Sequence, residues 1–218
     1  MRLGDTLYFN SRGSFDPNIK AMWRVLPDHT APTIAQFTHN VDQRTLNIRF
    51  TEHLGTSAAL ADFKVTRDSD GLEVFPTAFN YDPELRRVTL TLPPNVPDGE
   101  FSVSVLENSV FDVAGNALND ALPMNFHVLA GDANHDRSVD FADLLIVAQN
   151  YGQSNRTFSQ GNVDYSSDNL VSFYDLLIVA QRYGTSLPQL PLARSFGSTR
   201  IGQDVLSIDS SRTLPDFR

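Results

Sequence analysis

The sequence contains one ten-residue segment twice, and this repeat decides how the C-terminal half of the chain folds. The first copy reads Asp143-Leu-Leu-Ile-Val-Ala-Gln-Asn-Tyr-Gly152, and the second reads Asp175-Leu-Leu-Ile-Val-Ala-Gln-Arg-Tyr-Gly184. The copies start 32 residues apart and differ at a single position. Their apolar residues recur at helical spacing, and each copy ends at a glycine, which is typical of a helix C-terminus. The repeat therefore predicts two short amphipathic helices, each opened by an aspartate.

The residues that precede each copy carry oxygen-bearing side chains at regular intervals. The segment 131–187 holds seven aspartates, three arginines and no glutamate, which gives it a net charge of −4. Twelve-residue windows that end at Asp143 and Asp175 have such side chains at positions 1, 3, 5, 9 and 12, and position 7 offers its backbone carbonyl. This is the spacing of a calcium loop, in which the cation collects roughly six to eight oxygen atoms. The predicted ligands of two Ca²⁺ ions are Asp132, Asn134, Asp136, Ser138, Asp140 and Asp143 in loop one, and Asp164, Ser166, Asp168, Leu170, Ser172 and Asp175 in loop two.

Two departures from the usual calcium loop bear on affinity. Position 6 is normally glycine because the chain turns sharply there, and here it is Arg137 in loop one and Asn169 in loop two. Position 12 is aspartate instead of the longer glutamate. Loop one offers four carboxylates and loop two offers three, so we expect loop one to bind calcium more tightly. The alternative interpretation is a pair of solvated loops with Asx-turn chemistry and no metal.

A calcium loop and a following helix, duplicated without the leading helix of an EF-hand, resemble a dockerin module. The resemblance covers 131–187 and rests on Gly131-Asp-Ala-Asn-His-Asp136, Val139-Asp-Phe-Ala-Asp-Leu-Leu145 and Val171-Ser-Phe-Tyr-Asp-Leu-Leu177. It implies a compact pair of antiparallel helices folded around two calcium ions, which docks on a cohesin-like domain. Dockerins often occur at the C-terminal end of secreted polysaccharide-degrading enzymes or of large surface proteins, so the resemblance implies an extracellular or cell-surface location.

The resemblance also implies which residues contact the partner. The corresponding loop positions 10 and 11 are Phe141, Ala142, Phe173 and Tyr174. Many dockerins carry small or hydroxylated residues there, so docking within the chain, or on another surface, is an alternative to a cohesin-like partner. For Phe141 and Phe173, packing between the two helices is the alternative role.

The chain before the repeat is typical of β-structure. Apolar and polar residues alternate in 45–50, 87–92 and 101–106, and a last strand is predicted at 125–129; Pro, Gly, Asn and Asp separate these segments. This pattern predicts a β-sandwich. Its end, Val110-Phe-Asp-Val-Ala-Gly-Asn-Ala-Leu118, resembles the end of a bacterial Ig-like domain of the surface-layer type, which implies a spacer or adhesion module. The predicted fold class is therefore mainly β plus a small all-α module.

Four segments follow from these assignments. They are an N-terminal strand remnant or linker at 1–30, an Ig-like sandwich at 31–130, the dockerin-like module at 131–187 and a flexible tail at 188–218. The first segment contains two short predicted strands, which we interpret as the remnant of a preceding repeat in a larger protein.

Composition excludes several classes of function. With 26 acidic and 17 basic residues the net charge is −9, which disfavours a nucleic-acid partner. There is no cysteine, and apolar runs are too short for a membrane span. The first residues do not resemble a signal peptide. Phosphate-binding, metalloprotease and serine-hydrolase motifs are absent, and the five histidines are scattered singly; His135, at loop position 4, is not counted as a ligand.

We therefore expect a non-enzymatic, calcium-binding interaction or anchoring module. The alternative is the accessory region of a polysaccharide-degrading enzyme whose catalytic domain lies elsewhere. A calcium sensor is disfavoured, because sensors move paired helices and each loop here lacks the leading helix.

Overall fold

The computed structural model describes residues 27–56, 58–118 and 123–188, together with the backbone of three short strands nearer the N-terminus. These three strands are β1 (Arg2–Leu3), β2 (Thr6–Phe9) and β3 (Trp23–Val25), and they form an antiparallel sheet in that order. The predicted tail lies outside the described residues from position 189 onward.

Two four-stranded antiparallel sheets make up most of the described chain, which confirms a mainly β fold with sandwich-like layering. The strands are β4 (Ile34–Asn40), β5 (Thr45–Phe50), β6 (Phe63–Arg67), β7 (Glu73–Val74), β8 (Ala78–Asp82), β9 (Arg87–Thr91), β10 (Gly99–Val105) and β11 (Met124–Val128). One sheet has the order β4-β5-β9-β8 and the other β11-β10-β6-β7. A 3₁₀ turn, Leu60–Asp62, precedes β6.

The core between the sheets comes from the alternation seen in the sequence. On β5, Leu46 and Ile48 are fully buried, while Arg49 between Ile48 and Phe50 is exposed. On β10 of the other sheet, Phe101 and Val103 are fully buried in the same apolar cluster. Because side chains of a strand alternate between its two faces, this period-two pattern places one face of each sheet in a shared core.

Two helices follow the strands, each ten residues long: α1 (Phe141–Asn150) and α2 (Phe173–Arg182). Each begins two residues before the repeated aspartate, so the prediction that this aspartate opens the helix is wrong in detail. Asp140 and Ser172 cap the helices, while Asp143 and Asp175 occupy the third helical position and accept the backbone N–H of the capping residue. This reciprocal arrangement is a capping box, which satisfies backbone donors that a helix N-terminus leaves free.

A second apolar cluster lies beneath the helices. Val147 of α1 and Val179 of α2 are fully buried in it, together with Val139 and Val171 that precede the two helices. Val41, from the turn between β4 and β5, packs against the same cluster, so the helical pair lies directly on the sandwich. In the described part of the chain, neither helix has the length and apolarity that crossing a lipid bilayer requires.

Candidate metal-binding loops

Loop one holds two fully buried carboxylates, Asp132 at its start and Asp143 at its end. The Asp132 carboxylate accepts the backbone N–H groups of Asp136 (3.0 Å) and Arg137 (2.9 Å). The Asp143 carboxylate accepts those of Asn134 (3.1 Å) and Asp140 (2.9 Å). The loop backbone therefore wraps around both carboxylates and holds them in the interior.

Like charges surround Asp143. Burial raises the pKa of its carboxyl group above the ordinary value, and the nearby carboxylates of Asp132 and Asp136 raise it further, against the backbone N–H donors of Asp140 and Asn134. A raised pKa in a cluster of acids means that the negative charge there is undercompensated.

The remaining loop-one residues form local turns. Asn134, Asp136 and Asp140 each accept, through a side-chain oxygen, the backbone N–H of the residue two positions later. Asn134 also donates its amide to the Asp136 carboxylate (2.8 Å). These are the Asx turns of the metal-free interpretation, and they equally hold the predicted ligands on the loop. Ser138, at position 7, has its backbone N–H bonded to Asp136.

The closing carboxylate of loop two makes the same hydrogen bonds as that of loop one, but the loops differ in length. The Asp175 carboxylate accepts the N–H of Ser172 (2.7 Å), as Asp143 accepts that of Asp140. Its other oxygen accepts the N–H of Asp164 (3.2 Å), whereas the corresponding oxygen of Asp143 accepts that of Asn134. Asp164 is therefore the structural counterpart of Asn134, the third residue of loop one.

This register makes Asn162 the counterpart of Asp132. Asn162 is 2% exposed, and it follows Gly161 as Asp132 follows Gly131; both glycines have a positive φ (102° and 89°). The sequence contains evidence for this correspondence, because Gly161-Asn-Val aligns with Gly131-Asp-Ala. Counting twelve residues back from Asp175 misses it, since loop two is two residues longer.

The two extra residues lie in the middle of loop two. His135 and Arg137 of loop one have positive φ (60° and 79°), and so do Tyr165 and Asn169 of loop two (53° and 49°). The two extra residues of loop two therefore lie between the two positive-φ positions that both loops share. This stretch contains Asp168, whose pKa is lowered by hydrogen bonds from the hydroxyl of Ser166 and then from the backbone N–H of Leu170.

The predicted partner-binding residues are on the surface. Phe141, Phe173 and Tyr174 are 63%, 62% and 68% exposed, and Ala142 is also exposed. The alternative that Phe141 and Phe173 pack between the helices is wrong, because Val147 and Val179 point toward the buried cluster instead. Further exposed apolar side chains one turn along each helix are Leu145 and Leu177.

The contact with the sandwich is made by the loops. Tyr165 of loop two donates its hydroxyl to the backbone carbonyl of Val41 (2.8 Å), and the Arg44 guanidinium lies 5.0 Å from the centre of its ring. Its counterpart in loop one, His135, stacks on His127 of β11 with ring centres 3.9 Å apart. The two equivalent loop positions thus attach the helical pair to the sandwich at two points.

Charged side chains reinforce this contact. Arg137 of loop one forms an ion pair with Glu100 of β10. Asp98, just before β10, accepts the backbone N–H of Ala130 (2.9 Å) and forms an ion pair with Arg182 (3.3 Å). Docking within the chain therefore uses the loops and leaves the exposed rings of the helix N-termini outside the contact.

Comparison with known proteins gives weak similarities only. No protein-family model matches the chain, and no curated protein matches it. A solved structure of the surface-layer protein SbsC, domains 1–6, is 16% identical with a TM-score of 0.39, over 47% of this chain and 14% of that one. A type II cohesin–X–dockerin complex from Acetivibrio cellulolyticus is 15% identical with a TM-score of 0.23, over 57% of this chain and 81% of that one. Similarities this weak carry no functional argument, which therefore rests on the loops themselves.

Proposed function

We propose that 131–187 is a dockerin-like module whose two loops each bind a structural Ca²⁺ ion. The observation that carries the proposal is the complete burial of Asp132, Asp143 and Asp175, with matching hydrogen bonds at the closing carboxylates of the two loops. A buried carboxylate is costly unless it is paired with a cation or coordinates a metal. Within the described part of the chain, Asp143 and Asp175 have no ion pair with lysine or arginine.

Calcium would do the same work in both loops. Carboxylates crowded into one loop repel each other until the cation arrives, so metal binding is coupled to folding of the loop and its helix. In loop one the first ligand is the Asp132 carboxylate, and in loop two the neutral amide oxygen of Asn162 occupies the equivalent place. Because affinity rises with the number of charged ligands, loop one is the tighter site.

The test is calorimetric titration of the full chain with Ca²⁺, followed by circular dichroism with and without a chelator. We expect two bound ions and a loss of helical signal when calcium is removed. Asp143→Asn and Asp175→Asn should each remove one site, while Glu84→Gln, an acidic change on the sandwich, should remove neither. No calcium uptake, or a helical signal indifferent to the chelator, would overturn the proposal.

The exposed rings give the module its proposed role. We propose that Phe141, Ala142, Phe173 and Tyr174 dock a cohesin-like protein domain, and that the chain is a non-enzymatic anchoring part of a secreted or cell-surface protein. The support is their exposure at the ends of two short helices whose opposite faces are buried. The ring centres of Phe173 and Tyr174 lie 6.5 Å apart, and neighbouring exposed apolar side chains are typical of a protein-interaction site.

Docking can be tested separately from calcium binding. A panel of purified cohesin domains is titrated with the calcium-loaded chain, with its Tyr174→Ser variant and with Tyr151→Ser as a matched change at another exposed tyrosine. We expect binding that needs calcium and is weakened about tenfold or more by the first substitution only. Binding that survives the chelator, or that ignores Tyr174→Ser, would contradict this role.

A further inference from the structure

Three histidines that are far apart in the sequence meet where loop one contacts the sandwich. His39 is on β4, His127 is on β11 and His135 is in loop one. The ring centres of His127 and His135 are 3.9 Å apart, and those of His39 and His135 are 5.3 Å apart. With Asp132, the ligand atoms of His127 and His135 lie within 4.8 Å of one another. Two imidazoles and a carboxylate at this spacing can share one metal ion after one ring rotates, because the His127 and His135 rings are stacked with 17° between their planes.

The histidine nitrogens in this cluster lack ordinary partners. His127 is only 7% exposed, and its Nε2 is buried without a hydrogen-bond partner, 3.4 Å from Oδ2 of Asp132. Nδ1 of His39 is likewise buried and unpartnered. Buried polar atoms in folded proteins almost always have a hydrogen-bond partner, so two unpartnered imidazole nitrogens in one histidine cluster need an explanation.

The Glu100 carboxylate is on the same face of the sheet as His127, because Glu100 of β10 is the direct cross-strand partner of that histidine. One Glu100 oxygen accepts a hydrogen bond from Arg137, and the other, Oε2, is buried without a partner. A metal-bound histidine usually donates its second ring N–H to such a carboxylate.

Arg137 must move for this arrangement. Its guanidinium now contacts Nδ1 of His127 (3.3 Å), which would carry the proton once Nε2 binds a metal. The same guanidinium also donates to Glu100 and to the carbonyl oxygen of Pro188 (3.1 Å), so it can leave His127 and keep two partners.

We infer that His127, His135 and Asp132 form a binding site for one Zn²⁺-class transition-metal ion. Imidazole nitrogen with one carboxylate oxygen favours borderline transition metals over Ca²⁺, which prefers an all-oxygen site. The ion would join the last strand of the sandwich to loop one. This site goes beyond the proposed calcium sites, but it shares Asp132 with the calcium ligands proposed for loop one, so the two bound ions would compete for that carboxylate.

The experiment is a calorimetric titration of the full chain with Zn²⁺, in saturating Ca²⁺ and again in its absence, with Co²⁺ absorption as the spectroscopic signature. We expect one Zn²⁺ per chain without Ca²⁺, weaker Zn²⁺ binding in saturating Ca²⁺ because Asp132 is shared, and the intense visible bands of four-coordinate Co²⁺ with nitrogen ligands. His135→Asn and His127→Gln should each weaken Zn²⁺ binding at least tenfold, while His53→Asn, at an exposed histidine outside the cluster, should leave it unchanged.

The choice of His135→Asn keeps the test informative even if the buried His127→Gln variant does not fold. His135 has a φ of 60°, a conformation that asparagine tolerates better than most residues. Absence of Zn²⁺ binding, an affinity unaffected by His135→Asn, or the weak spectrum of Co²⁺ bound by oxygen alone would overturn the inference.

Discussion

The two loop–helix copies have nearly the same helix but different loops. Their ten-residue repeats differ at one position, whereas loop two has two extra residues and Asn162 where loop one has Asp132. Both loops nevertheless keep the same buried carboxylate at their end, the same glycine before their start and the same two backbone positions with positive φ. The comparison teaches that the ends of each loop are fixed by packing, while its middle is free to change length.

The backbone contacts that fix the end of each loop come from the other copy. Val139, before α1, exchanges backbone hydrogen bonds with the chain just after α2, and Val171, before α2, does so with the chain just after α1. The bonds run from Val139 N to Thr185 O, Gly184 N to Val139 O, Val171 N to Gln153 O and Gly152 N to Val171 O, at 2.9, 2.8, 3.0 and 2.8 Å. The end of each loop is thus bonded to the chain that follows the helix of the other copy.

Replacing the first residue of each loop by alanine should reveal the largest difference between the two calcium sites. Asp132→Ala should weaken calcium binding at the first site by about 100-fold or more, because a charged ligand is lost, whereas Asn162→Ala should weaken the second site by about tenfold. Calorimetric titration of each variant measures both sites. A larger loss for Asn162→Ala would reverse the proposed order of affinity.

The glycines before the two loops differ in how closely the opposite helix approaches them. A Cβ on Gly161 would lie 3.1 Å from Cα of Val147, and one on Gly131 would lie 3.4 Å from Cα of Val179. Both residues also have a positive φ, which strains any L-residue. We expect Gly161→Ala to lower the free energy of unfolding by about 2–3 kcal/mol and Gly131→Ala by about 1–2 kcal/mol.

Denaturant unfolding in saturating calcium, followed by circular dichroism, measures these changes. Gly71→Ala is the control, because Gly71 has a φ of 73° but no atom within 4 Å of the added Cβ, so it reports strain without the close contact. If Gly161→Ala lowers the free energy of unfolding no more than Gly71→Ala does, the close approach of Val147 to this glycine contributes nothing to stability.

Restoring the missing carboxylate should make the two loops more alike. Asn162→Asp is expected to strengthen the second calcium site about tenfold, since it adds the charge that loop one has at its first position. Calcium titration measures the gain. Asn169→Asp, at an exposed position of the same loop, is the control. If Asp164 is the first ligand of loop two, as the twelve-residue count predicts, Asn162→Asp will bring no gain.

The smallest expected effect concerns the attachment of loop two to the sandwich. Tyr165→Phe removes the hydrogen bond to the carbonyl of Val41 but keeps the ring that packs on Phe158, at 4.9 Å between centres. The free energy of unfolding should fall by about 0.5–1.5 kcal/mol. Thermal unfolding measures it, with Tyr183→Phe at an exposed tyrosine as the matched control. Equal stability of the two variants would mean that this hydrogen bond contributes nothing.

Local pattern predicted both helices and four of the eight strands in the two sheets, β5, β9, β10 and β11. It did not single out β4, β6, β7 or β8. The alternation in 45–50 coincides with β5, because one face of that strand is completely buried. The helix starts were displaced by two residues, since the repeated aspartates serve as third residues of a capping box and not as caps. A carboxylate before an apolar run is compatible with both positions.

Features that depend on long-range packing could not be read in this way. The alignment of loop two with loop one follows from the hydrogen bond between Asp175 and the start of its loop. Counting residues back from Asp175 gives the wrong alignment, because loop two contains two extra residues. The histidines looked unrelated because His39, His127 and His135 meet only when β4, β11 and loop one come together. Their proximity is a property of the contact between the sandwich and the helical pair.

The exchanged backbone bonds of Val139 and Val171 make the two copies depend on each other. Neither copy satisfies these bonds by itself, since the partner groups belong to the other one. The same surface is used twice, as in the self-complementary interface of a twofold homodimer. Because both halves belong to one chain they need not be identical, and loop two is longer and has Asn162 where loop one has Asp132.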